Sequence, residues 1–245
     1  MSDFFRARLC WWVLLICGLT TSGCAGLKTA DIHPTAPGGA GQPASQNGWW
    51  FVRFEWDWPE DAAPAWHLDL LAAHRILLPA ISTHEERMPL WRIHRRAARD
   101  GGGHRFSLLF YASRQTARAI YAKIADAAIL TELVDDGIVR QVQMKPVSAE
   151  IEPDIADTSD PAWSAALRAG WPYYIHGVSR LWLHLVSESA DRAIADSAPV
   201  TMAETIELYR RVGTEIDDIW QMEGHHALLH HLNAVFGYCP IPIRF

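Results

Sequence analysis

The sequence predicts an α+β fold, with an antiparallel sheet unit over residues 49–146 and helices over 162–245. Three observations predict it. Two short stretches, 50–58 and 90–98, alternate apolar and polar residues with the period of two that a half-buried strand requires, and 106–111 and 138–144 read as two further short strands, the first of them apolar. Two longer stretches between them repeat apolar residues every three or four positions, as a helix with one buried face does. After residue 161 the period of two vanishes and only helical spacing remains. The resulting order of strand, helix, strand, strand, helix, strand is that of a ferredoxin-like split βαββαβ unit, with both helices on one face of the sheet.

Each element has its own reason. Trp50, Val52, Phe54, Trp56 and Trp58 alternate with Phe51, Arg53, Glu55 and Asp57, and Pro59 ends this first strand. Asp61 and Pro64 open a helix whose buried face is Trp66, Leu70, Ala73, Leu77 and Ile81; Pro79 should end or kink it. Residues 90–98 and 106–111 form a hairpin about Gly101-Gly102-Gly103. Residues 114–134 read as one helix burying Ala117, Ile120, Tyr121, Ile124, Ile129 and Leu133. Gly137 stops it before a fourth strand at 138–144. An acidic, Pro-containing linker fills 147–161. Helices follow at 162–169, at 171–189 with Pro172 in the first turn, and at 201–236.

Composition bounds the function. Hydrophobic content of 49% and charged content of 20% describe an ordinary globular chain. A net charge of −6 argues against nucleic acid, which favours a basic domain. The charge is uneven: residues 151–245 hold 13 acidic and 6 basic side chains, whereas 84–105 hold 6 basic and 3 acidic. Most of the twelve Trp fall at core-compatible spacings and read first as packing.

The N-terminus carries an address. Arg6 and Arg8 precede the apolar run Leu9–Leu19, which is too short to span a bilayer. Residues 1–23 therefore read as an export signal peptide. Thr20-Thr21-Ser22-Gly23-Cys24 resembles the bacterial lipobox, with Thr21 where Leu or Val is usual. The resemblance implies a lipoprotein with Cys24 acylated by palmitate-type chains and anchored to the membrane of the cell envelope. Ala25 after the cysteine implies the periplasmic face of the outer membrane. Residues 24–48 then supply the lipidated cysteine and an Ala/Gly/Pro/Ser/Gln-rich tether. Cys10 and Cys17 leave with the signal, so Cys239 has no intramolecular partner and reads as a buried thiol.

Two constellations could carry chemistry. On one helix over 214–236, Glu223, His226 and His230 share a stripe with Ile216, Ile219 and Trp220. One carboxylate and two imidazoles could hold a divalent metal if His176 or His184 joined from the preceding helix. The plainer reading is structural: His226 or His230 hydrogen-bonds Glu223, or a partner on the 171–189 helix, in a half-buried stripe and serves stability. The second constellation is the basic hairpin, Arg87, Arg92, His94, Arg95, Arg96, Arg99, His104 and Arg105. Alternation puts Arg92, His94 and Arg96 on one side and Arg95 on the other. Arg92, Arg95, Arg96 and Arg99 are the candidate anion-binding residues, against the alternative of a solvated face neutralised by Glu55 and Asp57. No GxSxG, P-loop or dinucleotide-binding spacing is present.

The split sheet unit, the hairpin WRIHRRAARDGGGHRFSL and the ending LLHHLNAVFG resemble the thiopeptide-type bacteriocin biosynthesis domain. This is the C-terminal elimination domain of lantibiotic dehydratases. Asn233 and Gly237 match that family's last-helix motif, while Leu229 and Ala234 stand where it has His and Arg. The resemblance implies an elimination site built from His230 and Arg95. The expectation for the whole chain is a membrane-anchored envelope lipoprotein acting as a binding or structural module, its partner an envelope protein or a small anionic ligand. The alternative is a metal-dependent or relic elimination-type enzyme.

Overall fold

The computed structural model describes residues 46–238. The signal, Cys24, the expected tether as far as residue 45, and Cys239 lie outside the described residues, and Gly48, expected to end the tether, already belongs to the first strand. Strand β1 (Gly48–Trp56) is central to a four-stranded antiparallel sheet of order β2-β3-β1-β4, with β2 at Leu90–Ala98, β3 at Gly103–Ala112 and β4 at Val139–Met144. The α+β class holds, and the hairpin lies where the three glycines place it. Gly103 has φ of +59°, a left-handed conformation that suits glycine.

The register makes two faces of different chemistry. Trp50 pairs with Phe110, Val52 with Leu108 and Phe54 with Phe106, and all six are buried on the inner face. On β2 the inner positions are Trp91, Ile93 and Arg95. The outer face carries the row His94, Ser107, Arg53, Gln143 and the row Arg96, Arg105, Glu55, Gln141. Trp58 lies beyond β1, in the loop that follows it.

Helices close the inner face. The run expected around Pro79 is α1 (Trp66–Ala72), a π-helical segment (Ala73–Leu77) and α2 (Leu78–His84). Pro79 therefore does not end the helix. The widened turn before it opens the hydrogen-bond ladder where proline offers no N–H and its ring would clash. Trp66, expected on the buried face, is 40% exposed.

The single helix expected at 114–134 is two, α3 (Arg114–Ala125) and α4 (Ala128–Asp135). Ile124 and Leu133 are both fully buried, yet nine residues at 3.6 per turn put them on roughly opposite sides of one α-helix. The break at Ala127, in extended conformation, re-phases the chain so that both reach the core.

The expected helices 162–169 and 171–189 are one, α5 (Ala165–Asp196), with Pro172 inside it. Pro172 leaves the carbonyl four residues back, that of Arg168, without its helical donor. The Ser159 hydroxyl donates to that oxygen at 2.8 Å, so the helix runs through. α5 also covers the exposed edge of the sheet. Its His176 Nδ1 lies 3.1 Å from the Trp91 backbone N and 2.8 Å from the Trp91 carbonyl oxygen, bonding one or the other by tautomer, and its Ser179 Oγ accepts the Ile93 N–H at 3.0 Å.

The last helix is in three parts: α6 (Met202–Ile219), an eleven-residue π-helix (Trp220–His230) and α7 (His231–Val235). Thr201 and Glu204 form a capping box at its start. Buried residues of α1, α3, α5 and α6 join the inner sheet face in a single apolar cluster. The acidic stretch 147–161 is not a free spacer. Trp49 donates its N–H to the Glu152 carbonyl and its indole N–H to those of Asp154 and Ile155, each at 3.1 Å. Tyr111 donates its hydroxyl to the Pro153 carbonyl at 2.6 Å. No described helix is long and apolar enough to cross a membrane.

Trp56 is 2% exposed and donates its indole N–H to Asp69 at 2.7 Å. Trp56→Ala should destabilise the domain by about 3–5 kcal/mol in denaturant unfolding. Trp56→Phe keeps the ring but orphans a buried carboxylate oxygen, and should lose about 1–3 kcal/mol.

Candidate functional site

Asp69, on α1 within the apolar run Leu68–Ala73, is fully buried. Its Oδ1 accepts the Trp56 indole N–H, and its Oδ2 accepts Arg95 Nε–H at 2.8 Å. His104 Nε2 lies 3.3 Å from the same Oδ1, without hydrogen-bond alignment. Arg95 also gives Nη2–H to the Trp66 carbonyl at 3.1 Å, and its guanidinium lies over the Trp66 and Trp182 rings. Arg95 is thus spent inside the fold.

The candidate anion set is divided among three places. Arg95 is on the inner face, as alternation predicts. Arg99 donates to the carbonyls of Trp58, Pro59 and Ala62 and stacks 3.5 Å from the Trp58 ring centre. Only Arg92 and Arg96 share the outer face. There the register sets Arg105, already named in the basic hairpin, beside them and adds Arg53 from β1, which the hairpin reading did not include.

This outer cluster is crowded with like charge. Glu55, 4% exposed, is its buried counter-ion, with Arg105 Nη2 at 2.9 Å and Arg140 Nη2 at 3.1 Å. Arg96 is paired with Asp100. Arg53 and Arg92 form no ion pair among the described residues; Arg53 lies over the Phe51 ring and donates Nη1–H to Gln143 at 3.5 Å, and Arg92 lies over the Trp171 ring and donates Nη2–H to the Thr158 carbonyl at 3.2 Å. Burial, then the Arg105 guanidinium, holds Arg53 below the usual arginine range. Burial lowers Arg92 as well. His94 is pushed below the usual histidine value by burial and then by Arg92, Arg53 and Arg96. Arg92 Nε, Arg96 Nη1 and Arg105 Nε are buried donors without an acceptor among the described residues.

The histidine helix is not the site expected of it. The π-helix replaces the 100° step that aligned Glu223, His226 and His230 with Ile216, Ile219 and Trp220. Ile216 is buried, but Trp220, Glu223 and His226 are exposed and His230 is half-buried. Glu223 makes no hydrogen bond to either histidine; instead the His226 and His230 rings stack on each other at 5.1 Å. The expected metal partners are also elsewhere, since His176 is held by Trp91 and His184 is exposed. Among the described residues no three His, Cys, Asp or Glu are grouped to hold a metal ion. Glu223 instead lines an apolar cavity of about 430 Å³ with Arg95, Trp182 and Trp220. His230 is not on that wall, so the structure does not bring the implied elimination pair, His230 and Arg95, to one cavity.

Sequence reasoning missed Asp69, and it read His104 as part of the basic hairpin without placing it beside that carboxylate. The signal for Asp69 was present as a lone carboxylate in Leu68-Asp69-Leu70-Leu71-Ala72-Ala73, where every neighbour is buried. Because His226 and His230 pack only against an exposed surface, alanine at both should change stability by less than about 0.5 kcal/mol in thermal melts. A marked fall in Tm would restore the structural role that the sequence suggested.

No family model matches this chain, and no curated protein or solved structure is significantly similar to it, so geometry and sequence carry the functional reading.

Proposed function

We propose that the chain is an exported, lipid-anchored binding module of the cell envelope that recognises an anionic group, phosphate or carboxylate, on its outer sheet face. One observation carries the recognition: four half-buried arginines, Arg53, Arg92, Arg96 and Arg105, and the exposed His94 share one face, where Glu55 and Asp100 are the carboxylates paired with them. Like charges held together at partial burial disfavour one another, and orphaned donors in the same place call for acceptors. A bound anion supplies both the charge and the lone pairs. The sheet unit is read as ferredoxin-like, supported by its strand order and by helices after β1 and after β3. The anchor rests on the signal and lipobox pattern ending at Cys24, and the outer-membrane address on Ala25.

Calorimetric titration of the full chain in nonionic detergent with tripolyphosphate tests the face. The wild type should bind, more weakly as salt rises. Arg53→Gln with Arg92→Gln should weaken binding roughly tenfold or more, the scale of one charge-assisted hydrogen bond. The anion favours protonated His94, so affinity should rise as pH falls below the ordinary histidine value, and His94→Gln should flatten that rise. Absence of binding at low salt, or equal binding by the double variant, overturns the assignment.

The anchor is tested separately. Cys24→Ser should remain unprocessed or leave the membrane phase on detergent partitioning, because the acyl chains supply the membrane affinity. A variant that matures and stays with the membrane would remove this part of the proposal without touching the face.

A further inference from the structure

Three histidines near the end of the last helix crowd together. The ring centres of His226 and His230 are 5.1 Å apart, those of His226 and His231 5.2 Å, and those of His230 and His231 5.4 Å. The three rings therefore form a triangle of nearly equal sides. The helical pitch makes it. In an α-helix five residues turn about 140° beyond one full revolution, so His231 would leave the side that His226 occupies. The π-helix Trp220–His230 closes its hydrogen bonds five residues apart, which brings residues four and five along to the side of the first. Such turns are rare and concentrate at functional sites.

These side chains are also uncommitted. His226 and His231 are exposed, and His230 is half-buried. The histidines held by hydrogen bonds are His74 and His176, on other elements, and the three have no such partner among the described residues. Tyr238 packs beside them, its ring centre 5.5 Å from that of His230. A left-handed turn folds it back: Gly237 and Tyr238 have φ of +74° and +57°, and the Tyr238 N–H donates to the Asn233 carbonyl at 2.9 Å.

The triangle has the size that one metal ion requires. An imidazole nitrogen about 2.0–2.1 Å from a zinc ion puts its ring centre roughly 3.2 Å from the metal, and three such rings at tetrahedral angles have centres roughly 5.2 Å apart. We propose that His226, His230 and His231 hold one divalent transition-metal ion, Zn²⁺ by this geometry, and leave its fourth position to solvent. As the rings stand, those of His226 and His230 lie 22° from parallel, so their in-plane lone pairs do not converge and no metal-binding group is formed. Rotation about each Cβ–Cγ bond re-aims the nitrogens without moving the ring centres, which lie close to that axis. This torsion is broad in histidine, and exposed rings turn at little cost. His231 is the new member relative to the stripe read from the sequence, whereas Glu223 lines the apolar cavity instead. The 13 acidic against 6 basic side chains of residues 151–245 favour the approach of a cation. No residue of the outer sheet face takes part, so the two sites stand or fall separately.

The full chain in nonionic detergent, stripped of metal, is titrated with Zn²⁺ by calorimetry and with Co²⁺ by visible absorption. Zn²⁺ should bind saturably at one equivalent, and Co²⁺ should show the intense visible bands of a tetrahedral site. His231→Gln should weaken Zn²⁺ roughly tenfold or more, because one of three ligands is lost. His225→Gln and Glu223→Gln should bind as the wild type does, since neither residue belongs to the triangle. All three substitutions are at exposed positions, so Tm should stay unchanged without metal. Wild-type affinity in His231→Gln, or an equal loss in His225→Gln, overturns the proposal. So does an octahedral Co²⁺ spectrum, a thiolate charge-transfer band, or no saturable uptake of one equivalent.

Discussion

A carboxylate with no exposure to water is the constraint that fixes how the layers of this protein meet. An ionised Asp69 without partners would cost several kcal/mol to bury, so the fold must bring a cation and donors to it. The partners come from separate elements: Trp56 at the end of β1 and Arg95 in the middle of β2, with His104 of β3 alongside. α1 can dock only in the position where all three meet Asp69. Arg95 in turn lies over Trp66 and Trp182, so α5 is located by the same guanidinium. Apolar contacts could tolerate a slip of one element over another. A buried ion pair with fixed hydrogen-bond directions cannot, because the slip would leave both charges unpaired.

The period of two in the strands does more than bury a core. It sorts the arginines of one hairpin into separate roles, since residue 95 points inward while 92, 94 and 96 point outward. The register across β3 and β1 then sets Arg53 and Arg105 beside them. α5 lies along the edge strand and gives His176 and Ser179 to its free backbone groups, which blunts an edge that would otherwise invite another strand.

The strands, the hairpin and the inward Arg95 were legible in the sequence because alternation and glycine turns are local signals. The helix breaks were not, for differing reasons. The division at Ala127 has no Gly or Pro to mark it, yet the spacing of Ile124 and Leu133 is incompatible with one buried face and could have been read. Pro172 suggests a boundary by local rules, and the helix continues only because Ser159, thirteen residues earlier, supplies the missing donor. The long π-helix has a sequence that also fits α geometry, so the stripe of Glu223, His226 and His230 was a property of the wrong pitch. Asp69 was visible as a carboxylate among buried neighbours, but its partners lie 13 to 35 residues away and only the fold names them.

The net charge of −6 does not oppose an anion-binding face, because net charge is a poor guide to a local site. At physiological ionic strength, charges in water are screened beyond about 8 Å. Many of the acidic side chains of the helical half are exposed, as Glu207, Asp217 and Glu223 are, and their influence falls off over that distance. The guanidinium groups on the outer face are half-buried, where screening is weaker and an unpaired donor is more costly. What an approaching anion meets is therefore set by Arg53, Arg92, His94, Arg96 and Arg105 against Glu55, and Glu55 is itself already shared between Arg105 and Arg140. The same carboxylate that makes the cluster tolerable in the free protein is ion-paired to Arg105 and Arg140, which leaves Arg53 and Arg92 with neutral acceptors only, Gln143 and the Thr158 carbonyl. That residual demand is what the proposed anion would meet.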